Sequence, residues 1–399
     1  MPTYEISPNI FYVGVDDRKT QFFEGIWYIP DGISYNAYLI KDQKTALIEG
    51  GTRIDFARSF FNNISSVTDP SNIDYVIINH MEPDHTGTVP LLYKFAPDAK
   101  FVTTNLGKTM LANFYGITEA DRIIVVKEND EINLGKMKLR FHMIPGVHWP
   151  ETMVTYEETQ KILFSGDAFG SYGALNGLLF DDEANLDFYL AETRRYFANI
   201  VGLFTRPVQN ALKKLGNLEI KMIAPSHGLI WRNNPRKIIE IYDKLSRYEN
   251  ENKALLLYGT MYGFTEELAN YIARKLISNG VKVIVRNATF VHPSYVLGDG
   301  WDSKVIVFGL PTYDGGAFPP VYYNAYLFAK KQLKNKYFGI FGSSGWSGKG
   351  YLKILNLIKP LGWNQIDPIV EFRGQITKED LVKADTLVEN IVKIIKESS

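Results

Sequence analysis

Side chains able to hold a metal follow four apolar runs of this chain. Four of them crowd into His80-Met81-Glu82-Pro83-Asp84-His85, directly after IDYVIIN. The others are His148 beyond KLRFHMI, Asp167 after KILFSG and His227 after IKMIAPS. Side chains just past the C-terminal ends of strands are where α/β folds gather ligands, and one loop can aim several of them at a common centre. Four imidazoles and three carboxylates are enough for two metal ions that share a bridging carboxylate. For any one of these residues the ordinary alternative is a satisfied core histidine or a helix cap; their joint placement at four strand ends favours a single site. The chain has no cysteine, which excludes disulfides, thiolate zinc sites and cysteine-ligated iron–sulfur clusters. Any metal must therefore be held by His and carboxylate. His142 lies inside a strand-like run and is expected to be structural.

A second group of loops carries different chemistry. Thr260, Met261, Tyr262, Gly263, Phe264 and Thr265 follow the apolar run ALLLY and open a helix, so their hydroxyls and backbone N–H groups can surround a phosphate. The Gly-Lys pair of a Walker loop is missing, which favours a monophosphate held without Mg²⁺ over a nucleoside triphosphate. Two later Gly-rich turns are Pro311, Thr312, Tyr313, Asp314 and Gly315, and then Ser343, Ser344, Gly345, Trp346, Ser347 and Gly348. Aromatics in such turns can lie flat against a conjugated ring while freed backbone amides bond its polar edge. Trp346 is expected to stack ahead of Tyr313; an exposed loop tryptophan is the alternative.

The elements that must position these loops change character along the chain. IFYVGV, YNAYLI and TALIEGG read as a meander of short strands between polar or Gly breaks. Strands alternating with amphipathic helices follow. The segment NNPRKIIEIYDKLSRYENENK reads as a helix with Asn234 as N-cap and Pro235 in its first turn, then a polar stretch. A domain boundary is expected near Glu249 to Lys253. Beyond it ALLLY, EELANYIARKLISNG, VKVIVR, KVIVFGL and YFGIFG give the strand and helix order of a doubly wound parallel sheet. At 399 residues, two domains over 1–250 and 253–399 are the natural division, and 45% apolar content suffices to bury both cores. Lys plus Arg equals Asp plus Glu at 44 each, so no overall field draws nucleic acid or an anionic membrane, and neither partner is expected. The segment MPTYEISPNIFYVG has no basic stretch leading into an apolar core, and no apolar run approaches bilayer length. The expected location is the cytoplasm.

The pattern H-x-[EH]-x-D-H after a strand, with later His, Asp and His, resembles the metallo-β-lactamase superfamily over roughly the first domain. Its zinc hydrolases normally carry His where this chain has Glu82, and Glu there resembles the flavodiiron branch; an oxygen-richer shell suits iron better than zinc. GVHWPETM, SGDAF and APSHGLIW also resemble strings of flavodiiron proteins, and the three later loops together resemble a flavodoxin domain. The implied fold class is α/β, an N-terminal metallo-β-lactamase-like αββα sandwich plus a C-terminal flavodoxin-like doubly wound parallel sheet. The resemblance makes His80, Glu82 and His148 the ligands of one iron and Asp84, His85 and His227 those of the other, with Asp167 between them. The counterpart of His85 is not metal-bound in every relative. Tyr196, in RRYFANI, resembles a pocket tyrosine near the open iron face, with a packed helix aromatic as the alternative. Glu49 stands where superfamily members often carry Asp and is given no metal role; Tyr262 stands where flavodoxins usually have Thr or Ser, so a phosphate hydroxyl is missing.

The cofactors implied are FMN and a non-haem di-iron centre. The implied activity is reduction of dioxygen to water, nitric oxide to nitrous oxide, or both. Electrons would come through FMN from an external donor, a rubredoxin-like protein or a reduced cofactor. The implied assembly is a head-to-tail homodimer or a dimer of dimers. The rival reading is a metal-dependent hydrolase with a regulatory flavin domain, against which Glu82 speaks.

Overall fold

The structure is a computed structural model and describes residues 4–397. It divides into two compact units, one running to Phe197 and resuming over Phe204–Ser246, the other made of Ala198–Leu203 and the chain from Arg247.

The first unit contains two facing sheets. One orders the strands Tyr4–Ser7, Ile10–Tyr12, Tyr38–Lys41, Thr45–Ile48, Tyr75–Ile77, Lys100–Thr103 and Ile123–Val125. Its pairs are antiparallel as far as Thr45–Ile48 and parallel beyond it. The meander read from the sequence is thus half of a larger mixed sheet. The second sheet orders Glu131–Asn133, Lys138–Met143, Met153–Glu157, Ile162–Gly166 and Met222–Pro225, with only the last pair parallel. Tyr38, Ile40, Ile48 and Val102 from one sheet share a core with Leu139, Phe141, Phe164 and Ala224 from the other, and the Tyr38 and Phe164 rings lie 5.1 Å apart. Helices cover the outer faces. Thr205–Leu215 buries Val208, Ala211 and Leu215, a single stripe at helical spacing. Asn105–Tyr115 is capped by the Thr104 hydroxyl, which accepts from the Gly107 N–H, and ends at Gly116, where φ is +68°.

The second unit is one parallel sheet in the order Lys282–Asn287, Glu251–Tyr258, Ser303–Tyr313, Tyr337–Ser344 and Asn364–Gln365, with Val370–Arg373 also beside Tyr337–Ser344. The strand order reverses between Glu251–Tyr258 and Ser303–Tyr313, and the crevice at such a switch point is where open α/β sheets take ligands. Helix Lys378–Lys396 packs on this sheet behind a capping box of Thr377 and Asp380. The first strand starts at Glu251, before the apolar run ALLLY, because ladder pairing of Glu251 with Ser303 needs only backbone groups. Among the described residues, no helix is long and apolar enough to cross a membrane.

Candidate metal centre and cofactor pocket

All seven sequence-derived donors lie together at one end of the facing sheets, none of them more than 9% exposed. His80, Glu82, His148 and Asp167 form one group and Asp84, His85 and His227 another, each with ligand atoms within 4.8 Å of one another. Glu82 Oε2 lies 3.2 Å from His80 Nε2 and 3.0 Å from His148 Nε2, and Asp167 Oδ2 is 3.0 Å from the same His148 nitrogen. The other Asp167 oxygen faces the second group, 2.9 Å from His85 Nε2 and 3.4 Å from His227 Nε2. Asp84 closes that group, with Oδ2 3.2 Å from His227 Nε2 and Oδ1 3.4 Å from His85 Nε2. Asp167 thus offers one oxygen to each group.

In the first group these contacts are hydrogen bonds of Glu82 and Asp167 with the two imidazoles; in the second they are not. Both Asp84 oxygens, both His85 ring nitrogens, Asp167 Oδ1 and His227 Nε2 are buried without a hydrogen-bond partner. Each such atom costs about 1–3 kcal/mol, and folded proteins keep few of them. The ligand atoms of each group lie close enough together to share one cation, which would satisfy the unpartnered ones. Charge says the same. Burial alone would raise Asp167, yet His85, His148 and His227 hold it well below the usual carboxylate range. Burial would lower His85 and His148, yet both are pushed up to about 9, His85 by Asp84 and Asp167, His148 by Asp167 and Glu82. The carboxylates demand positive charge, and a nitrogen and oxygen donor set with three carboxylates fits iron.

A second layer fixes the donors. His80 Nδ1 lies 2.8 Å from Glu151 Oε1, which also accepts the Met81 N–H at 2.9 Å. His227 Nδ1 donates to the Ser34 carbonyl at 2.6 Å. These bonds place the ring proton on Nδ1 and leave Nε2 of both rings for the centre. The Thr155 hydroxyl donates to Asn79 Oδ1 at 2.7 Å, Asn79 Nδ2 donates to Glu49 Oε1, and Met153 N–H donates to the Asn79 carbonyl at 3.0 Å, tying the His80 loop to the second sheet. The rings of Phe23, Tyr35 and Tyr196 surround His227 at 5.5, 5.7 and 5.7 Å. Tyr196 closes helix Leu186–Tyr196, and a π-helical turn follows at Phe197–Val201, a distortion frequent at functional sites. Over the cluster lies an open cavity of about 940 Å³ whose walls include Glu82, Asp84, Arg53 and Phe114.

Sequence reasoning missed Glu151, Ser34, Phe23 and Tyr35. Glu151 alone carried a usable signal, a carboxylate three residues beyond His148 in GVHWPETM. His142 stays outside the cluster, bonded to Glu128 at 2.9 Å.

In the second unit the three predicted loops converge on a cavity of about 360 Å³, within the size range of small-ligand sites. Every predicted residue lines it except Gly263 and Gly348, and Gly374 joins them. Gly263 sits at φ +96° as the N-cap of helix Phe264–Ser278, a conformation L residues rarely adopt, and its N–H donates to Thr260 Oγ1 at 3.0 Å. Thr265 and Ser343 hydroxyls bond at 2.8 Å. The Tyr258 hydroxyl donates to Glu266 at 2.6 Å, tying down one of the two acidic side chains in the first helical turn beside an anion-binding terminus. A Cβ built at Gly263, Gly315 or Gly345 meets nothing within 4 Å, so the turns border open space. Trp346 and Tyr262 are each 85% exposed and Tyr313 42%. The Trp346 carbonyl accepts from Arg373 at 2.9 Å, which anchors its turn. Thr and Ser hydroxyls around a helix terminus and flat side chains about an open slot suit a phosphorylated ring cofactor.

A two-sheet sandwich with a buried seven-donor cluster, followed by a parallel sheet whose turns line a cavity, defines a two-module α/β protein with a candidate metal centre and a candidate cofactor pocket. Residues 33–228 match the family described as ODP family beta lactamase, and residues 256–384 match flavodoxin. The chain is 33% identical to a nitric oxide reductase of Moorella thermoacetica over 88% of each sequence. Rubredoxin oxygen:oxidoreductase from Desulfovibrio gigas superposes with a TM-score of 0.94 at 28% identity, covering 99% of both chains. The flavodiiron protein from Giardia intestinalis gives a TM-score of 0.94 at 27% identity, covering 100% of this chain and 99% of its own. The chain belongs to the flavodiiron protein family.

Proposed function

We propose that this protein reduces dioxygen to water, nitric oxide to nitrous oxide, or both, with electrons entering from an external donor. The observation that carries the proposal is the buried donor cluster with its unpartnered atoms, in a chain whose second unit also holds a cavity lined by the three Gly-rich turns. When bound, FMN supplies the electrons and an iron pair the place where the diatomic gas is reduced. His80, Glu82 and His148 would hold one iron and Asp84, His85 and His227 the other, with Asp167 spanning both. Glu151 and the Ser34 carbonyl keep two imidazoles in the ligating tautomer. Phe23, Tyr35 and Tyr196 shield the His227 side from water. Thr260 and Thr265 with the amides behind Gly263 would take the phosphate, and Trp346, ahead of Tyr313, would cover the ring. The names of the Moorella and Desulfovibrio relatives support both gases and a rubredoxin-type donor.

Assembly as a head-to-tail homodimer, alone or paired into a dimer of dimers, belongs to the same reading. The flavin turns expose Trp346 and Tyr262, and the cluster opens into a wide cavity, so a two-fold arrangement would cover both faces at once. Mixing a His227→Ala variant with one in which Trp346 and Thr265 are both replaced restores gas reduction if the flavin of one chain serves the metals of the other. Confirmed exchange with no activity would leave transfer within one chain.

The functional test is anaerobic reduction of the flavin followed by parallel dioxygen and nitric oxide consumption. Uptake of either gas by iron-loaded protein is expected. Protein that carries flavin and iron yet consumes neither gas would overturn the proposal.

A further inference from the structure

Tyr172 and Tyr196 are both fully buried, and neither hydroxyl has a hydrogen-bond partner. Other buried tyrosines of the same unit obey the usual rule. Tyr38 donates to the Pro225 carbonyl at 2.7 Å, Tyr189 to Ala174 at 2.8 Å and Tyr242 to Gly170 at 3.2 Å. An unpartnered buried hydroxyl costs about 1–3 kcal/mol, and phenylalanine would fill nearly the same volume without that cost. Two such hydroxyls on touching rings are therefore unexplained by packing.

Their surroundings say what they face. The two rings meet edge to face at 5.1 Å, and the Phe23 ring, which also lines the cavity over the cluster, lies 5.9 Å from Tyr172 and 6.5 Å from Tyr196. Phe23 and Tyr196 both rest on the His227 ring. Beyond burial itself, the charges acting on Tyr196 are led by Asp167 and include Asp84; those on Tyr172 are led by Arg195, Glu24 and Glu192, with Glu82 after them. Tyr196 thus adjoins the second metal-holding group directly, and Tyr172 adjoins it through the Tyr196 and Phe23 rings. Tyr172 differs in one respect. The Arg195 guanidinium stacks 4.5 Å over its ring, fixed there by Glu192 and by the Tyr28 carbonyl. Burial pushes the Tyr172 phenol well up, which keeps its proton on the oxygen, and the guanidinium against the ring face offsets part of that rise.

We propose that Tyr172 is a catalytic hydrogen-bond donor of the gas pocket, paired with Tyr196, each hydroxyl serving an oxygen atom of the diatomic substrate or of its reduction product. The assignment rests on the gas-reducing function above. Preorganised donors aimed at an oxygen that gains negative charge are among the largest contributions a protein makes to a reaction, and both hydroxyls are held free of protein acceptors. The loop from Asp167 sets the position of Tyr172. Gly173 follows it at φ +99°, and Gly228 passes so close to Ser171 that a Cβ there would lie 2.0 Å from its Oγ.

The test compares Tyr172→Phe, Tyr196→Phe and the double variant with the parent protein, all loaded with iron and FMN. Iron and flavin content, gas turnover, and the N–O stretching frequency of nitric oxide added to the reduced protein in light and heavy water are measured together. Tyr172→Phe is expected to keep both cofactors, to lose part of the solvent-isotope shift of the stretch, and to lower turnover roughly 10²-fold; the double variant loses the remainder of the shift. A Tyr172→Phe protein with the parent's spectrum and turnover, or one that loses iron together with the hydroxyl, overturns the proposal. A parent protein that consumes no gas would instead sink the functional reading, and the isotope shift would still report the donor.

Discussion

No donor of the metal cluster is more than 9% exposed, whereas Trp346 and Tyr262 at the flavin pocket are each 85% exposed. The cluster is held by hydrogen bonds to groups outside it. Glu151 grips His80, the Ser34 carbonyl grips His227, and Glu49, Asn79 and Thr155 brace the loop beneath them. The candidate cofactor pocket is assembled from three turns whose aromatic side chains are exposed. One site thus has buried, closely coupled charges, and the other has exposed aromatic surface. A single change should therefore cost far more at the first site than at the second.

The largest effect is expected from His148→Ala. It leaves the Glu82 and Asp167 carboxylates short of a partner in a buried site, so iron falls well below the parent's content and gas reduction becomes undetectable, while FMN stays bound. Metal analysis and flavin absorbance on one preparation check this, and joint loss of flavin in a well-folded variant would break the contrast. Glu151→Gln comes next. It keeps the volume but replaces the charged acceptor of His80, so iron affinity drops roughly 10–100-fold in a chelator competition. An unchanged affinity would mean that the second layer does not tune the first. Thr155→Val removes the donor to a buried Asn79 oxygen and lowers unfolding stability by about 1–3 kcal/mol, read from denaturant titration. The smallest effect belongs to Trp346→Ala, which weakens FMN by about 0.5–1.5 kcal/mol of stacking and leaves iron untouched. Flavin titration measures it, and an unaltered affinity and potential would move stacking to Tyr313.

The same contrast governs what could be read from the residues alone. The ligand loops were legible because His80, Glu82, Asp84 and His85 fall within one short loop after an apolar run, a density that chance placement rarely gives. The flavin turns were legible from their Gly, Ser and Thr spacing at strand ends. The supporting layer was not. Glu151 and Glu49 look like any other glutamates until burial and partners are known, and Ser34 acts through its backbone carbonyl. Phe23 and Tyr172 meet only in the folded chain, from segments far apart in sequence. The grouping of Ala198–Leu203 with the second unit was equally hidden. No break in composition marks it; Asn199 bonds the Ser294 carbonyl at 3.1 Å and Gly202 sits against Trp301, contacts of long sequence separation. The division of the first unit into two sheets was also beyond local pattern, since the parallel pairing of Thr45–Ile48 with Tyr75–Ile77 bridges a whole helix.

The central claim is that the buried cluster is where the gas reacts and the flavin is its electron source. Its most direct measurement is the absorbance of the reduced flavin after nitric oxide is added under anaerobic conditions, in the parent protein and in His227→Ala. Rapid reoxidation in the parent and a flavin that stays reduced in the variant is the predicted result. Reoxidation at the same rate in both would contradict the claim, because electrons would then reach the gas without the metal cluster.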